Sequence, residues 1–493
     1  MLVAAFARPE IDYHAFAPEI VLVGVLVVVL LVDLVFEERA RHLTPTLAAL
    51  GLLGALVPVL TLAQDGAERS LFGGAYVVDD FALVMKALFL VAGFLVVLMS
   101  TDYIGEGDYY EGEYYFLLLS SLLGMTVMAS SRDLISIFIA LELLSIPAYL
   151  LAGWRKRDLK GNEASLKYYL LGVFASGVML YGMSLLFGVT HSTVLTEIGD
   201  SLARGDSSVP IATVGILFTV IGFAFKVSAV PFHAWAPDVY EGAPTPITAF
   251  LSVASKAAGF VALLSLVFIS FEGRADVWQP LFWVLAALTM TVGNVVALRQ
   301  TNVVRMLAYS SVAQAGYMLA PLAVASTSGI DNAMSATVTY LIVYTAMNLG
   351  AFAVVMAIAR KTRSAELSSF GGLFEYAPGL TVLLSVFFFA LAGIPPLGGW
   401  YAKLVIFRVF FEDPTVWGVV LAVFVAVNSV IGLFYYASVA RETWMRPVPD
   451  DDRSPISVPS SLGAAIGLCA LATIAIGIVP QIVARFADLT PFG

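Results

Sequence analysis

The chain has 493 residues, of which 60% are hydrophobic and only 13% are charged, whereas a soluble domain carries about 25% charged residues. This composition excludes a soluble enzyme, a disordered protein and a nucleic-acid-binding protein, since no basic patch is available to contact phosphates. The net charge of −10 belongs to the loops, and the single cysteine, Cys469, excludes an internal disulfide and a cysteine metal cluster.

Fourteen apolar runs predict helices that cross a membrane, because a spanning helix needs about 20 mostly apolar residues. In chain order the runs lie near residues 19–36, 44–64, 78–100, 114–130, 133–153, 164–190, 210–230, 246–270, 279–298, 304–324, 334–358, 377–411, 415–440 and 460–484. The first run is predicted to be a retained helix rather than a signal peptide, since no small-residue cleavage site accompanies it. The expected fold class is an all-α polytopic membrane protein with about 14 transmembrane helices.

Two of these runs are interrupted by proline. The seventh leads into a segment with four prolines, beginning at Pro231, and the twelfth contains GIPPLGG (393–399). Neither segment can continue as an unbroken helix, and Pro231 and Pro396 are each followed four residues later by a tryptophan. The two breaks lie five spans apart, which predicts two inverted five-helix repeats, each with one broken helix.

Four segments follow from this pattern. The predicted boundaries are 1–113 for an N-terminal three-helix segment, 114–270 for the first five-helix repeat (spans 4–8), 279–440 for the second (spans 9–13), and 441–493 for a C-terminal loop and the last span. Most Lys and Arg residues lie in the loops after odd-numbered spans, and Arg155, Lys156, Arg157 and Lys160 form the strongest group. Because such an excess marks the cytoplasmic side, both termini are predicted to be periplasmic.

Several charged side chains remain inside or near the apolar runs. They are Asp33, Lys86, Glu142, Lys167, Lys226, Lys256, Lys403 and Arg408. A Lys or Asp at mid-span costs about 2.5–3.5 kcal/mol on insertion scales, so several of them in one chain imply a shared polar interior. A desolvated lysine near a carboxylate is a proton site whose occupancy can be switched.

Four of these residues are the main candidates for proton transfer. Glu142 lies nine residues into the fifth span, a depth of about 14 Å at 1.5 Å per residue. Lys226 precedes the first break, Lys256 lies at mid-span among small residues, and Lys403 follows the second break. The structural alternatives are a hydrogen bond between helices for Glu142, a helix-end position near the interface for Lys226, a lone ion pair for Lys256 and an interfacial anchor for Lys403.

Other polar residues have competing interpretations. Lys167 lies about one turn into the sixth span, where proton transfer and extension to the interface are nearly equally expected. His233, beside the first break, is either a relay or a packed hydrogen-bonding residue. Lys86 and Asp33 are predicted to be structural. No metal site is expected, because no second histidine or cysteine lies near His233.

The segment FKVSAVPFHAWAPDVYEGAPTPITAFLSVASKAA (225–258) closely resembles the signature of the antiporter-like membrane subunits of respiratory complex I. ALELLSIPAYLLAG (140–153), NVVRMLAYSSVAQAGYML (302–319) and LAGIPPLGGWYAK (391–403) agree with the same family, so the resemblance covers nearly the whole chain.

The resemblance implies a role for each candidate. Glu142 and Lys226 match a pair, Lys256 the central connecting lysine, Lys403 the terminal lysine and Lys167 a lysine of the sixth span. Gln314 departs from relatives that have histidine in the tenth span. Because glutamine cannot take up a proton near neutral pH, Gln314 is left out of the predicted site.

The function implied by the resemblance is proton translocation as a membrane subunit of an NADH:quinone oxidoreductase. FMN, iron–sulfur clusters, NADH and quinone would bind to other subunits, and no cofactor is expected in this chain. The expected partners are other membrane-arm subunits, especially the neighbouring antiporter-like subunit and small helical subunits, within the lipid bilayer of a bacterial plasma (inner) membrane. The alternatives are a subunit of a cation/proton antiporter complex or membrane-bound hydrogenase, and a structural spacer that does not pump.

Overall fold

The computed structural model of the protein describes residues 11–36, 40–107, 111–205, 208–325, 329–412, 414–449 and 451–486. The helices within these ranges are α1 (Ala17–Val35), α2 (Ala40–Asp65), α3 (Asp80–Gly105), α4 (Glu111–Ser130), α5 (Leu134–Ala152), α6 (Leu159–Thr190), α7 (Leu195–Arg204), α8 (Val209–Lys226), α9 (Trp235–Gly242), α10 (Thr245–Phe250), α11 (Lys256–Ser265), α12 (Ala275–Ala297), α13 (Val303–Leu319), α14 (Ile330–Thr362), α15 (Leu373–Tyr376), α16 (Pro378–Ala392), α17 (Gly398–Glu412), α18 (Val416–Met445), α19 (Ser460–Ile478) and α20 (Gln481–Ala484). Strands β1 (Arg69–Leu71) and β2 (Tyr76–Val78) pair antiparallel, with Arg69 opposite Val78.

The prediction of an all-α polytopic membrane protein is confirmed. Twelve helices of the described ranges are long and apolar enough to cross a membrane. The other two predicted spans correspond to α13, which has 17 residues, and to α16 and α17, which have 15 each. The count of fourteen spans, the inverted repeats and the four-segment division stay predictions.

Both predicted helix breaks are present. Helix α8 ends at Lys226 and α9 begins at Trp235, while α16 ends at Ala392 and α17 begins at Gly398. Prolines in these segments cannot donate the backbone hydrogen bond that a continuous helix requires. The π-helical turn Leu251–Ser255 joins α10 to α11, and a second π-helical turn, Leu266–Ser270, extends α11, so that Thr245–Ser270 is one spanning segment. Each break therefore lies close to one of the candidate lysines.

The helices differ in how much protein surrounds them. Helix α14 and the segment from Thr245 to Ser270 are almost completely enclosed, whereas α1, α6 and α18 turn much of their apolar surface outward. Apolar side chains suit both the helices enclosed by protein and the helices that face outward, because lipid tails are as apolar as the protein core. The enclosed helices form the centre of the fold, and Lys256 is one of their buried polar side chains.

Helix packing in the first half depends on close backbone approach. Helix α6 crosses α8 at Gly182, where an added Cβ would lie 2.6 Å from the backbone nitrogen of Thr219. Small residues permit this approach between membrane helices. The contact fixes α8, and hence Lys226 at its end, against α6. The β1–β2 hairpin and the short helix α7 lie between the predicted spans, and the sequence analysis did not predict them.

Candidate functional site

Lys226 is buried at the last residue of α8, with 4% of its surface exposed. Its Nζ donates hydrogen bonds to Ser145 Oγ at 2.9 Å and to the Tyr168 hydroxyl at 3.3 Å. The same nitrogen lies 5.7 Å from the centroid of the Tyr168 ring. Side chains from α5 and α6 therefore solvate the ammonium group within the protein.

Glu142 lies on α5, three residues before Ser145, and so on the same helix face. Its Oε1 accepts a hydrogen bond of 2.6 Å from Ser176 Oγ. No ion pair joins Glu142 to Lys226, although both residues lie in the described ranges. The two groups implied to be a pair are thus bound to separate serines, and Ser145 is the residue of α5 that contacts the lysine.

Lys256 is at the start of α11, with 1% of its surface exposed. Its Nζ donates to the backbone oxygen of Ser311 at 2.5 Å and also contacts the Ser311 hydroxyl. Ser311 belongs to α13, so this contact joins the first half of the chain to the second half. The implied role of Lys256 as the central connecting lysine stays a prediction.

A hydrogen-bond network on α13 continues beyond Ser311. The Ser310 and Tyr436 hydroxyls lie 2.5 Å apart, and Gln314 Nε2 donates to Tyr436 at 3.3 Å and to the Leu391 carbonyl at 3.2 Å. Tyr340 donates its hydroxyl proton to Gln314 Oε1 at 2.5 Å. Gln314, which sequence reasoning left out, is the centre of this network.

Lys403 lies on α17 with 7% of its surface exposed. Its Nζ donates to the Ala392 carbonyl at 2.7 Å and lies 4.8 Å from the centroid of the Tyr317 ring. Ala392 ends α16, and its neighbour Leu391 accepts the hydrogen bond from Gln314. Lys403 and Gln314 therefore bind consecutive carbonyl groups that the second break leaves without helical partners.

The three buried lysines have similar chemical surroundings. Lys226, Lys256 and Lys403, which we call the buried row, each have an amino group that can hold a proton, and each is hydrogen-bonded to groups within the protein. Serine and tyrosine hydroxyls both donate and accept hydrogen bonds, so they can hold protons or water between the lysines. The row has cationic, hydroxyl and amide groups in a low-dielectric interior, which is an arrangement suited to moving a positive charge.

Gly393 offers a test of the Lys403 position. Its φ is +91°, and an added Cβ would lie 2.8 Å from Lys403 Cδ. We expect Gly393→Ala to displace the flexible lysine from the Ala392 carbonyl and to add backbone strain of about 1–3 kcal/mol. The expected result is a severalfold fall in proton translocation, measured as acidification of proteoliposomes that contain the assembled complex.

Gly379 provides the matched control, because an added Cβ there meets no atom within 4 Å. Gly379→Ala is expected to leave proton translocation at the wild-type rate. Equal rates for the two variants would show that the close approach of Gly393 does not determine where Lys403 lies.

Lys167 and His233 lie outside the buried row. Lys167 has 41% of its side chain exposed and pairs with Glu163 and Asp238, each at 2.7 Å. His233 is partly exposed between α8 and α9, and its Nδ1 is a buried atom without a hydrogen-bond partner in the described structure. Their predicted roles in proton transfer are untested.

A buried ion pair in the N-terminal helices was missed. Lys86 on α3 and Glu19 on α1 lie 3.0 Å apart, with 0% and 1% of their side chains exposed. Lys86 Nζ also donates to the Tyr76 hydroxyl at 2.8 Å. The sequence signal for Glu19 was weak, because it follows Pro18 at the edge of the first apolar run. Lys86 was predicted to be structural, and this pairing agrees with that interpretation.

Within the described residues, no group of three or more His, Cys, Asp and Glu side chains has an arrangement that could hold a metal ion.

Residues 131–431 match the protein family described as NADH:quinone oxidoreductase/Mrp antiporter, TM. The chain is 41% identical to NADH-quinone oxidoreductase subunit N 1 of Koribacter versatilis over 97% of this chain and 95% of the relative. It is 38% identical to NADH-quinone oxidoreductase subunit N of Trichlorobacter lovleyi over 97% of this chain and 96% of the relative.

Solved structures have the same fold. A chain of respiratory complex I from Thermus thermophilus matches with a TM-score of 0.80 at 30% identity, covering 96% of this chain and 100% of that one. A chain of the Mrp complex from a Dietzia species has a TM-score of 0.84 at 19% identity and covers 97% of both chains. The second similarity concerns the fold alone.

Proposed function

Since the chain belongs to the family of membrane subunits found in NADH:quinone oxidoreductases and Mrp antiporters, we propose that it translocates protons as a subunit of an NADH:quinone oxidoreductase. The observation that carries the proposal is the row of three buried lysines at the two helix breaks and the centre of the fold. Electron transfer would take place in other subunits, which would bind FMN, iron–sulfur clusters, NADH and quinone.

The specific counterpart is subunit N. YEGAPTPITAF (240–250) together with a lysine after the second break is similar to that subunit. The related subunit M has a glutamate at the position of Lys403, and subunit L has an additional long lateral helix. The names of the full-length relatives support this assignment.

The proposed path runs from Glu142 through Lys226 and Lys256 to Lys403. A change in the distance between Glu142 and Lys226 would change the electrostatic stabilisation of the lysine's proton. The proton would then move toward Lys256, with Ser145 and Tyr168 as the hydroxyl groups that receive it from Lys226. A second charge arriving on Lys256 would repel a proton on Lys403 and favour its release.

The second half of the path depends on neutral groups. Ser311 contacts Lys256, and the network of Ser310, Tyr436 and Gln314 leads to the carbonyls beside Lys403. Gln314 cannot carry the proton, so its proposed role is to hold the hydroxyl groups and any water between the two lysines. His233 stays a predicted relay and Lys167 a predicted proton-transfer residue.

The proposed setting is a bacterial plasma membrane, with both termini on the periplasmic side. The loop charges support this orientation. The proposed neighbours are the adjacent antiporter-like subunit and small helical subunits of the membrane arm.

The experiment that tests this function is purification of the assembly from native membranes through a C-terminal tag, combined with in-gel NADH oxidation. A large assembly that oxidises NADH is the expected result. A small assembly of hydrophobic subunits without NADH oxidation would instead support a cation/proton antiporter complex, and hydrogen-evolving activity would support a membrane-bound hydrogenase. An assembly that oxidises NADH but translocates the same number of protons when Lys226 and Lys403 are both replaced would identify the chain as a structural spacer.

A further inference from the structure

Charged residues of α6, α9 and α13 form a network at the protein surface, which we call the α9 cluster. Its members are Lys160, Glu163, Lys167, Asp238, Glu241 and Arg305. Arg305 Nη1 lies 2.9 Å from Asp238 Oδ1 and 2.9 Å from Glu241 Oε2, so one guanidinium nitrogen binds both carboxylates of α9.

The two carboxylates have further partners on α6. Lys167 Nζ lies 2.7 Å from Asp238 Oδ2, and Lys160 Nζ lies 3.1 Å from Glu241 Oε1. Burial disfavours the charged form of Asp238, but hydrogen bonds from Lys167 and Arg305 outweigh it and hold the pKa of this carboxyl below its usual value. Burial opposes the charge of Glu241 as well, yet hydrogen bonds from Arg305 and Lys160 lower its pKa. Both carboxylates are therefore charged near neutral pH and attach α9 to two other helices.

Helix α9 needs such attachment. It has eight residues and follows directly on the first break, and isolated helices shorter than about 12 residues are marginal in water. Asp238 and Glu241 are three residues apart and share one face of α9. An isolated surface ion pair contributes little to stability, but a network that shares its members restricts both the position and the rotation of this short helix.

Trp235, the first residue of α9, contacts the surroundings of Lys226 in two ways. Its ring stacks on Tyr168 with centroids 4.5 Å apart and an angle of 10° between the planes. Its Nε1 donates a hydrogen bond of 3.0 Å to the carbonyl of Phe225, the residue before Lys226. Tyr168 is itself a hydrogen-bond acceptor for Lys226 and follows Lys167 in α6.

We infer that the α9 cluster positions Trp235, and through Trp235 the hydroxyl group of Tyr168 and the end of α8 that hold Lys226. Arg305 and Asp238 are then positioning residues for the proton path, and Lys167 contributes to the α9 cluster through its pair with Asp238. This inference rests on the proposed function, because its consequence is a change in proton translocation through Lys226.

The test is a double-mutant cycle in the purified, reconstituted complex, with protons translocated per NADH oxidised as the measured quantity. We expect Arg305→Gln to lower this ratio, because a displaced Trp235 no longer holds the Tyr168 hydroxyl group against Lys226. Arg305→Lys keeps the positive charge and is expected to retain more of the ratio than Arg305→Gln. Trp235→Phe keeps an aromatic ring but removes the Nε1 hydrogen bond, and is expected to lower the ratio as well.

The double variant distinguishes positioning from a general structural effect. If the cluster acts through Trp235, Arg305→Gln adds little to the loss already caused by Trp235→Phe. Arg453→Gln is the matched control, since Arg453 pairs with Glu375 at 2.7 Å on the protein surface and contacts no residue of α9 among the contacts described; its ratio is expected to equal that of the wild type.

Two outcomes would overturn the inference. One is an Arg305→Gln ratio equal to that of Arg453→Gln, and the other is losses in the double variant that multiply as independent effects. The proposed function fails separately, because it requires Lys226→Met to lower the ratio whatever the Arg305 variants do. A complex that depends on Lys226 but not on Arg305 would therefore refute the positioning role alone.

Discussion

Replacing Lys226 with methionine is expected to remove proton translocation through this subunit while the complex still assembles and oxidises NADH. Methionine fills a similar volume but carries no proton, and the Ser145 and Tyr168 hydroxyls that bound the ammonium group remain in place. A positioned proton-transfer group contributes about 100-fold or more to the rate of its step. The measurement is the number of protons moved per NADH oxidised in proteoliposomes, together with the amount of assembled complex.

Arg408 supplies the control for this experiment. It was among the charged residues near the apolar runs, but its side chain is 76% exposed and pairs with Glu412 on the same helix. We expect Arg408→Met to leave the proton yield unchanged. An unchanged yield for Lys226→Met in a fully assembled complex would show that Lys226 does not carry protons.

Replacing Lys86 with methionine is expected to destabilise the protein more than any surface substitution. The Lys86–Glu19 pair is almost fully buried, so the variant leaves the Glu19 carboxylate without a compensating charge. Breaking a buried ion pair in this way costs about 3–5 kcal/mol. The buried thiol of Cys469, with 1% exposure, reports unfolding, so labelling of the Cys469 peptide during heating of the purified complex measures the loss.

Two further variants define this prediction. Combining Lys86→Met with Glu19→Gln removes both charges and is expected to restore most of the stability, because replacing a whole buried pair is often nearly neutral. Arg69→Gln breaks the pairs of Arg69 with Asp12 and Asp65, whose members are partly exposed, and we expect it to destabilise the protein much less than Lys86→Met does. If Lys86→Met is no less stable than Arg69→Gln, then the buried pair contributes no more than an exposed one.

The sequence identified Lys226 and Lys256 as buried candidates, but it did not identify the residues that bind them. Lys226 and Ser145 are 81 residues apart in the chain, and Lys256 and Ser311 are 55 residues apart. Sequence reasoning placed each lysine at membrane depth from the apolar residues around it. It had no means of finding a serine or tyrosine hydroxyl on another helix, because such residues are common in membrane helices and carry no periodic signal.

Gln314 and Glu19 are residues that the sequence analysis did not select, although both make buried contacts. Gln314 was set aside because it cannot titrate, yet it binds Tyr340, Tyr436 and the Leu391 carbonyl in the middle of the second half. Glu19 was passed over because it lies at the edge of an apolar run, yet the first helix buries it against Lys86. Whether a side chain titrates, and where it lies in an apolar run, therefore did not suffice to predict that it joins a buried network.

The sequence by itself determined the membrane class, the approximate helices and the two breaks, because a bilayer demands long apolar helices and proline interrupts them wherever it occurs. It favoured interior positions for Lys226, Lys256 and Lys403, since an unpaired charge facing lipid is costly, and it left interfacial positions open for Lys226 and Lys403. Only the tertiary structure decided that Lys167 joins a surface cluster, that Ser145 lies against Lys226, and that Gln314 binds Tyr436 and the Leu391 carbonyl. These outcomes depend on which faces of distant helices meet, and that is set by the packing of the whole bundle rather than by any local pattern.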